Sequence, residues 1–211
     1  MLSVSQSDSL SFKLDSGKNN QNTQQIRKFL RFYLGDSDAT PRRRKAQGNA
    51  HQDSDRSDLQ ATNRDLALLE AEIVTEVITI SPQELLPVPQ MPYCVLGIYS
   101  WRSEMLWIVD IENLMGYPPC LQEDADADET LLVMVVQVQG QSMGLVVSRI
   151  DSIVEQDLEK FKSSSSEIFS DDIMPFLYGY FTDENNNIVM LIDAEEVFHF
   201  FSINSSFSNY S

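Results

Sequence analysis

The residues able to do chemistry in this 211-residue chain are chiefly carboxylates, with two cysteines, two histidines and one arginine set beside a tryptophan. Asp124-x-Asp126-x-Asp128 begins like a calcium loop, in which alternate acids supply oxygen ligands. Glu129 stands where the turn glycine belongs, however, and Val135 where the bidentate Glu belongs, so an EF-hand is excluded. Asp183-x-Asn185-x-Asn187 fails likewise, with Ile188 and Ala194 at those two positions. Both read as solvated hairpin loops. Cys94 and Cys120 lack C-x-x-C spacing and a neighbouring histidine, while His51 lies in a polar stretch and His199 in an aromatic run. No nucleophile, base and orienting acid can be assembled from such parts. The glycines form no G-x-x-x-x-G-K-[ST] phosphate cradle, and Ser163 to Ser166 reads as a flexible loop. Neither a catalytic residue nor a metal or cofactor site is expected. A carboxylate-only magnesium site in an acidic β enzyme is the alternative. Trp101-Arg102 is different in kind: an arginine beside an exposed aromatic is the composition of a binding hot spot. Its plainer alternative is a local salt bridge to Glu104 or an acidic neighbour.

The formal charge of −17 is unevenly spread. Residues 1–64 hold 11 of the 15 Lys and Arg against 7 acids, whereas residues 65–211 hold 4 against 25, a net of −21. So acidic a body repels phosphate, which argues against nucleic-acid binding. An apolar fraction of 42% suits a globular chain, and the longest apolar run, Leu131 to Val136, is far short of the ~20 residues of a membrane span. Met1 to Ser9 has no basic and apolar regions of a secretory signal, and two cysteines make no disulfide framework, so a cytoplasmic location without membrane insertion is expected.

Residues 1–25, rich in Ser, Gln, Asn and Asp, read as a disordered tail, and 202–211 as a second tail. Residues 36–65 contain one Leu and no Ile, Val or aromatic residue, and carry the Arg42-Arg43-Arg44-Lys45 run. Between these polar stretches lies Phe29 to Gly35, a compact aromatic strand that is unstable alone. It must pair with something beyond residue 65, which makes 36–65 a disordered insertion within one domain spanning 26–201. From residue 66, β-prone runs recur at Ile73 to Ile80, Val95 to Tyr99, Met105 to Ile111, Leu131 to Val138, Met143 to Ile150, Phe176 to Phe181 and Ile188 to Ile192. Leu131 to Val136 and Ile188 to Ile192 are apolar on both alternating faces, as in strands buried between packed barrels or sheets. Glu195 to Phe201 predicts a short terminal helix capped by Asp193.

The chain also repeats itself. Val74-x-x-Val77-Ile78 matches Ile150-x-x-Ile153-Val154 at an offset of 76, and Gly97 matches Gly179 at 82. Val109-Asp110-Ile111-Glu112-Asn113-Leu114 matches Ile192-Asp193-Ala194-Glu195-Glu196-Val197 at 83. The strand ending at Gly35 matches the one ending at Gly140 at 105, so the first copy is 29 residues longer, within the insertion. Each copy is too small to bury a full core, and the two are expected to share one. Asp110 and Asp193, equivalent in the repeats, serve strand ends or caps more naturally than paired catalysis.

These segments, in this order, resemble the CheW family. The resemblance rests on Val74-Thr75-Glu76-Val77-Ile78, Leu86-Pro87-Val88-Pro89, Gly97 to Ser103 and Ile108 to Ile111, then on Gly144 to Val147, Ile150 to Val154 and Val189 to Asp193. It covers residues 28–35 and about 66–201. It implies a mainly all-β fold of two intertwined SH3-like five-stranded barrels that share a core, with a short C-terminal helix. It also implies a noncatalytic signal-transduction adaptor, coupling a methyl-accepting chemoreceptor-like protein to the regulatory domain of a CheA-type histidine kinase in chemotaxis, phototaxis or pilus-based motility. An alternative is a scaffold of this type no longer coupled to a kinase. Glu76, Gly97, Trp101, Arg102 and Ser103 are the partner-binding residues so implied, although a solvated strand-face carboxylate is an equal reading of Glu76. The family often has Asn-Leu-Arg-Gly where this chain has Ser100-Trp101-Arg102-Ser103. Ser103 puts a positive φ at that corner in doubt, since only glycine adopts one without steric cost.

Overall fold

The computed structural model describes residues 25–35, 65–121 and 130–206. The expected tail 1–25 and insertion 36–65 lie outside them except for Gln25 and Asp65, as does the Asp124 to Asp128 loop. Asp65 belongs to the fold: it is buried and opens a strand.

The first repeat supplies β1 (Ile26–Leu34), β2 (Asp65–Glu70), β3 (Val74–Ile80), β4 (Val95–Trp101), β5 (Glu104–Asp110) and the one-turn helix α1 (Ile111–Leu114). The second supplies β6 (Leu131–Val138), β7 (Gln141–Val147), β8 (Arg149–Asp157), the short β9 (Lys162–Ser163), β10 (Leu177–Thr182), β11 (Ile188–Ile192) and α2 (Ala194–Ser206). The run expected over Met143 to Ile150 is two strands, broken at Ser148. The terminal helix continues to Ser206, into the stretch expected as a tail.

Two sheets form, in the orders β8-β1-β2-β11-β10-β9 and β3-β6-β7-β5-β4. The repeats exchange strands. The first two strands of each copy join the later strands of the other, β1 and β2 with β8 to β11 and β6 and β7 with β3 to β5, so neither half has a complete barrel of its own. The duplication extends to irregularities. The β3–β6 ladder shifts register between Val74 and Glu76, and β8, at an offset of 76, steps from Ser152 to Ile150 against β1. The β4–β5 shift between Val95 and Gly97 recurs between Leu177 and Gly179 in β10–β11.

Each barrel closes where the chain after its third strand returns to its fourth. In one, β9 pairs with β10. In the other, Leu86 makes a single bridge to Ile98, with Leu86 N donating to Ile98 O at 2.9 Å and Ile98 N donating to Leu86 O at 3.0 Å. Ser163, expected in a flexible loop, is therefore part of a barrel wall.

The strands that are apolar on both faces are those shared between cores. In β6, Leu131, Val133 and Val135 fill one barrel, while Met134, Val136 and Val138 face the core between barrels. In β11, Val189 and Leu191 fill the other barrel, and Met190 and Ile192 join the shared core. Phe29, on β1, is fully buried in that second barrel, and Phe32 in the shared core. Each such ring contributes about 1.5–3 kcal/mol on burial.

Candidate adaptor surface

The β4–β5 hairpin projects Trp101 and Arg102 at the end of the five-stranded barrel. Trp101 pairs with Glu104 across it, leaving a two-residue loop of Arg102 and Ser103. Both have positive φ, 49° and 66°, as a type I′ turn requires to match strand twist. The positive φ at Ser103 is thus kept without the family's glycine. Turn geometry outweighs the serine's steric cost of ~1–2 kcal/mol.

Glu76 reaches this loop from β3, at the opposite end of the sheet order, because the barrel closes. Its Oε1 accepts from Trp101 Nε1 and its Oε2 from Arg102 Nη2. The Arg102 guanidinium also lies 4.8 Å from the centre of the Trp101 ring. Three of the five residues expected at a partner surface therefore form one cluster, with Ser103 beside it in the turn. Arg102 pairs with an acidic neighbour, Glu76, and not with Glu104, so the salt-bridge alternative holds with a partner distant in sequence. Its side chain remains 68% exposed against 25% for Glu76, so the cation faces outward on an anchored base. Beneath it, Trp101 packs with Ile78 and Tyr99 on the barrel core. The arrangement is a fixed, outward cation on an aromatic shelf, suited to a carboxylate or aromatic group of a partner protein.

Gly97 does not join that surface. It is buried, with φ 149°, and a Cβ there would stand 2.6 Å from Leu86 O. Gly179 meets the same constraint in the other barrel, 2.2 Å from Lys162 O. Both glycines permit the close backbone approach at which a barrel shuts.

The carboxylates singled out by the repeat are engaged with backbone. Asp110 accepts from Asn113 N at 2.9 Å and Cys120 N at 2.8 Å, and Asp193 from Glu196 N at 3.1 Å. Both act as helix caps. Asp183 accepts from Asn185 N, Asn187 N and Asn187 Nδ2, tying its own hairpin loop. Burial pushes the Cys94 thiol up to about 12 and raises Cys120 further, with Asp110 adding to both. Neither is a nucleophilic thiolate at neutral pH. His199 lies exposed, 3.6 Å from Glu196. Among the described residues no three His, Cys, Asp or Glu side chains gather as a metal site, and no helix is long and apolar enough to cross a membrane.

A buried polar network went unread in the sequence. Glu112 accepts from Gly35 N at 2.9 Å and Ser148 N at 2.6 Å, and the Tyr117 hydroxyl donates to Asp65. Gly35 and Asp65 flank the insertion, so the α1 region holds both its ends. Burial raises the Glu112 pKa, opposed by the two N–H donors, and nearby Asp110 raises it further. The available signal was Glu112 inside the repeated Val109 to Leu114 segment.

No curated protein matches this chain closely enough to serve as a relative. Among solved structures, the scaffolding protein TtCheW from Thermoanaerobacter tengcongensis superposes with a TM-score of 0.52. At 16% identity the match covers 79% of this chain and 88% of that one, which establishes the shared fold of paired SH3-like barrels. The model of the CheW-like domain matches residues 62–201, from just before β2 into α2. Most of the chain, including both copies of the repeat from β2 onward, thus carries the family's pattern, and the protein belongs to the CheW-like domain family of signalling scaffolds.

Proposed function

We propose that this protein is a noncatalytic cytoplasmic adaptor that binds the regulatory domain of a CheA-type histidine kinase and couples it to a chemoreceptor-like sensor. The observation carrying this reading is the Glu76–Trp101–Arg102 cluster. A cation held by a carboxylate and an indole loses little side-chain freedom on binding, and anchored Arg and Trp residues are typical interface hot spots. Family membership supplies the partner class. The engagement of Asp110, Asp183 and Asp193 with backbone donors supports binding over turnover.

Titration calorimetry with the isolated kinase regulatory domain tests the proposal. Arg102→Ala should weaken binding by about 1–3 kcal/mol, roughly 5- to 150-fold. Folding should change by no more than about 1 kcal/mol, because so exposed an ion pair is screened by water. Absence of binding at tens of micromolar (about 30 µM, or −6 kcal/mol), with both partners folded, would remove the kinase from the account. A lower melting midpoint with unchanged affinity per folded molecule would make Arg102 a structural residue.

A further inference from the structure

A groove of about 600 Å³ opens between the end of α1, the middle of α2 and the loops that precede β4 and β10. Its wall is aromatic, made by Tyr93, Phe176 and Phe200, with Asp171, Asp172 and Glu196 beside the rings. Tyr93 is 64% exposed, and the three acidic residues are exposed as well. No Lys or Arg lines the groove, and its one histidine, His199, lies 3.6 Å from Glu196. Among the described residues no ion pair involves Asp171 or Asp172.

The duplication shows how this wall arises. At the offset of 83, Phe200 is the counterpart of Tyr117. Tyr117 follows the end of the one-turn α1 and is buried, its ring over Gly35, where a Cβ would stand 2.6 Å from Tyr117 Cδ1. Its hydroxyl donates to Asp65. Gly140 is the counterpart of Gly35, yet nothing lies within 4 Å of a Cβ built there. Because α2 runs on to Ser206, Phe200 stays within a helix and lines the groove instead. It stands edge-on to Phe176 and Phe201, with ring centres 5.4 and 5.2 Å away. The aromatic that closes a corner in one copy is presented at a groove in the other.

We propose that this groove docks an arginine-bearing basic segment of a partner protein, with a guanidinium laid on the aromatic wall and paired with the carboxylates of Asp171, Asp172 or Glu196. Charge complementarity selects the occupant, since three carboxylates face the site on a body of net charge −21. The rings select arginine over lysine: a planar guanidinium stacks on an aromatic face and also donates two hydrogen bonds to one carboxylate. Ligand pockets of about 300–1,000 Å³ take several groups at once, so a segment and not a lone side chain suits this volume. Tyr93 precedes β4, and Trp101 ends that strand about 20 Å farther along. The groove is therefore separate from the Glu76–Trp101–Arg102 cluster, and the inference is independent of the kinase reading.

Fluorescence anisotropy on the full chain provides the test, at about 0.15 M salt, where charges more than ~8 Å apart are largely screened. The probe is fluorescein-labelled Gly-Arg-Leu-Arg-Gly-amide, with lysine and citrulline versions beside it. The arginine peptide should bind, the lysine peptide several-fold more weakly and the citrulline peptide not at all. Tyr93→Ala, and separately an Asp171→Asn, Asp172→Asn double variant, should each weaken binding about tenfold. A Glu155→Gln, Glu159→Gln variant removes two exposed charges elsewhere and should change it less than about twofold. Arg102→Ala, which tests the kinase reading, should leave peptide affinity unchanged. No binding at about 1 mM peptide, or equal losses in the two double variants, would overturn the proposal. So would equal affinity for free arginine amide, which would assign the groove to a small molecule, or a dimer that the aspartate substitutions dissociate, which would assign it to a second copy of the chain.

Discussion

Gly97→Ala separates the two roles open to that glycine, a partner contact or barrel closure. The new Cβ would stand 2.6 Å from Leu86 O and 3.0 Å from Leu86 C. That oxygen cannot turn aside, because it accepts from Ile98 N at 3.0 Å in the bridge that shuts the barrel. Relieving the clash means moving backbone, an overpacking cost of about 1–3 kcal/mol. Holding an L-residue at φ 149° adds about 1–3 kcal/mol of strain. Together these cost roughly 2–6 kcal/mol, or about 4–24 °C in Tm for a body of this size. Gly140→Ala is the matched control: φ is 81° but nothing lies within 4 Å, so only the conformational term applies. That term is about 1–2 kcal/mol. Gly179→Ala, whose Cβ meets Lys162 O at 2.2 Å, should be at least as damaging as Gly97→Ala. Thermal and urea unfolding of the three variants, with kinase-domain affinity measured per folded molecule, gives the comparison. The closure reasoning fails if Gly97→Ala melts with Gly140→Ala while its affinity drops.

Three further outcomes follow from the buried and paired charges. Burial raises the Glu112 pKa, so the fold favours its acid form; that contribution is complete below the unfolded value near ~4.3 and declines as pH rises through the folded one. In denaturant titrations between about pH 4 and 8 the advantage of wild type over Glu112→Gln should shrink with rising pH, and a constant gap would show that ionisation plays no part. Asp151 has the opposite sign: Ser152 and Arg31 hold its carboxyl below the usual range, so its stabilisation is present above ~3.9 and lost as pH falls through the folded value. The gap between wild type and Asp151→Asn should therefore close in acid, and its persistence there would assign the effect to packing. Finally, Leu34 and Asp65 are paired across β1 and β2, so a short linker can join them. Replacing residues 38–63 with about four Gly-Ser residues shortens the loop by roughly two doublings, which should leave the fold intact and about 1 kcal/mol more stable. Collapse of the circular dichroism or melting transition would instead make the insertion part of the barrel.

What the sequence disclosed was whatever periodicity and repetition carry. The doubly apolar runs at Leu131 and Ile188 marked strands lying between cores, and the repeated Asp110 and Asp193 marked helix caps. The offsets established a duplication but not the exchange of strands, because identical patterns do not say which copy supplies the neighbour. Glu76 and Arg102 were visible separately; their pairing depends on barrel closure between residues 26 positions apart. Asp65 and Glu112 escaped notice because acids are normally exposed, and only the three-dimensional fold reveals the N–H and O–H donors that allow their burial. Serine's preference misled at position 103, where hairpin twist sets the φ.

The duplication gives the molecule two similar barrels, yet their exposed hairpins have diverged. The position equivalent to Glu76 is Ser152, which donates to Asp151 beside Arg31. Opposite it, the two-residue turn of Arg102 and Ser103 is replaced by the longer Asp183 to Asn187 loop, whose aspartate is taken up by its own asparagines. A cation presented on an indole thus occurs at one barrel end and not at its counterpart. Exchange of strands ties both ends to one shared core, so neither can shift independently without disturbing Met134, Val136, Met190 and Ile192. Two unlike ends on one shared core agree with the proposed coupling of two different partners.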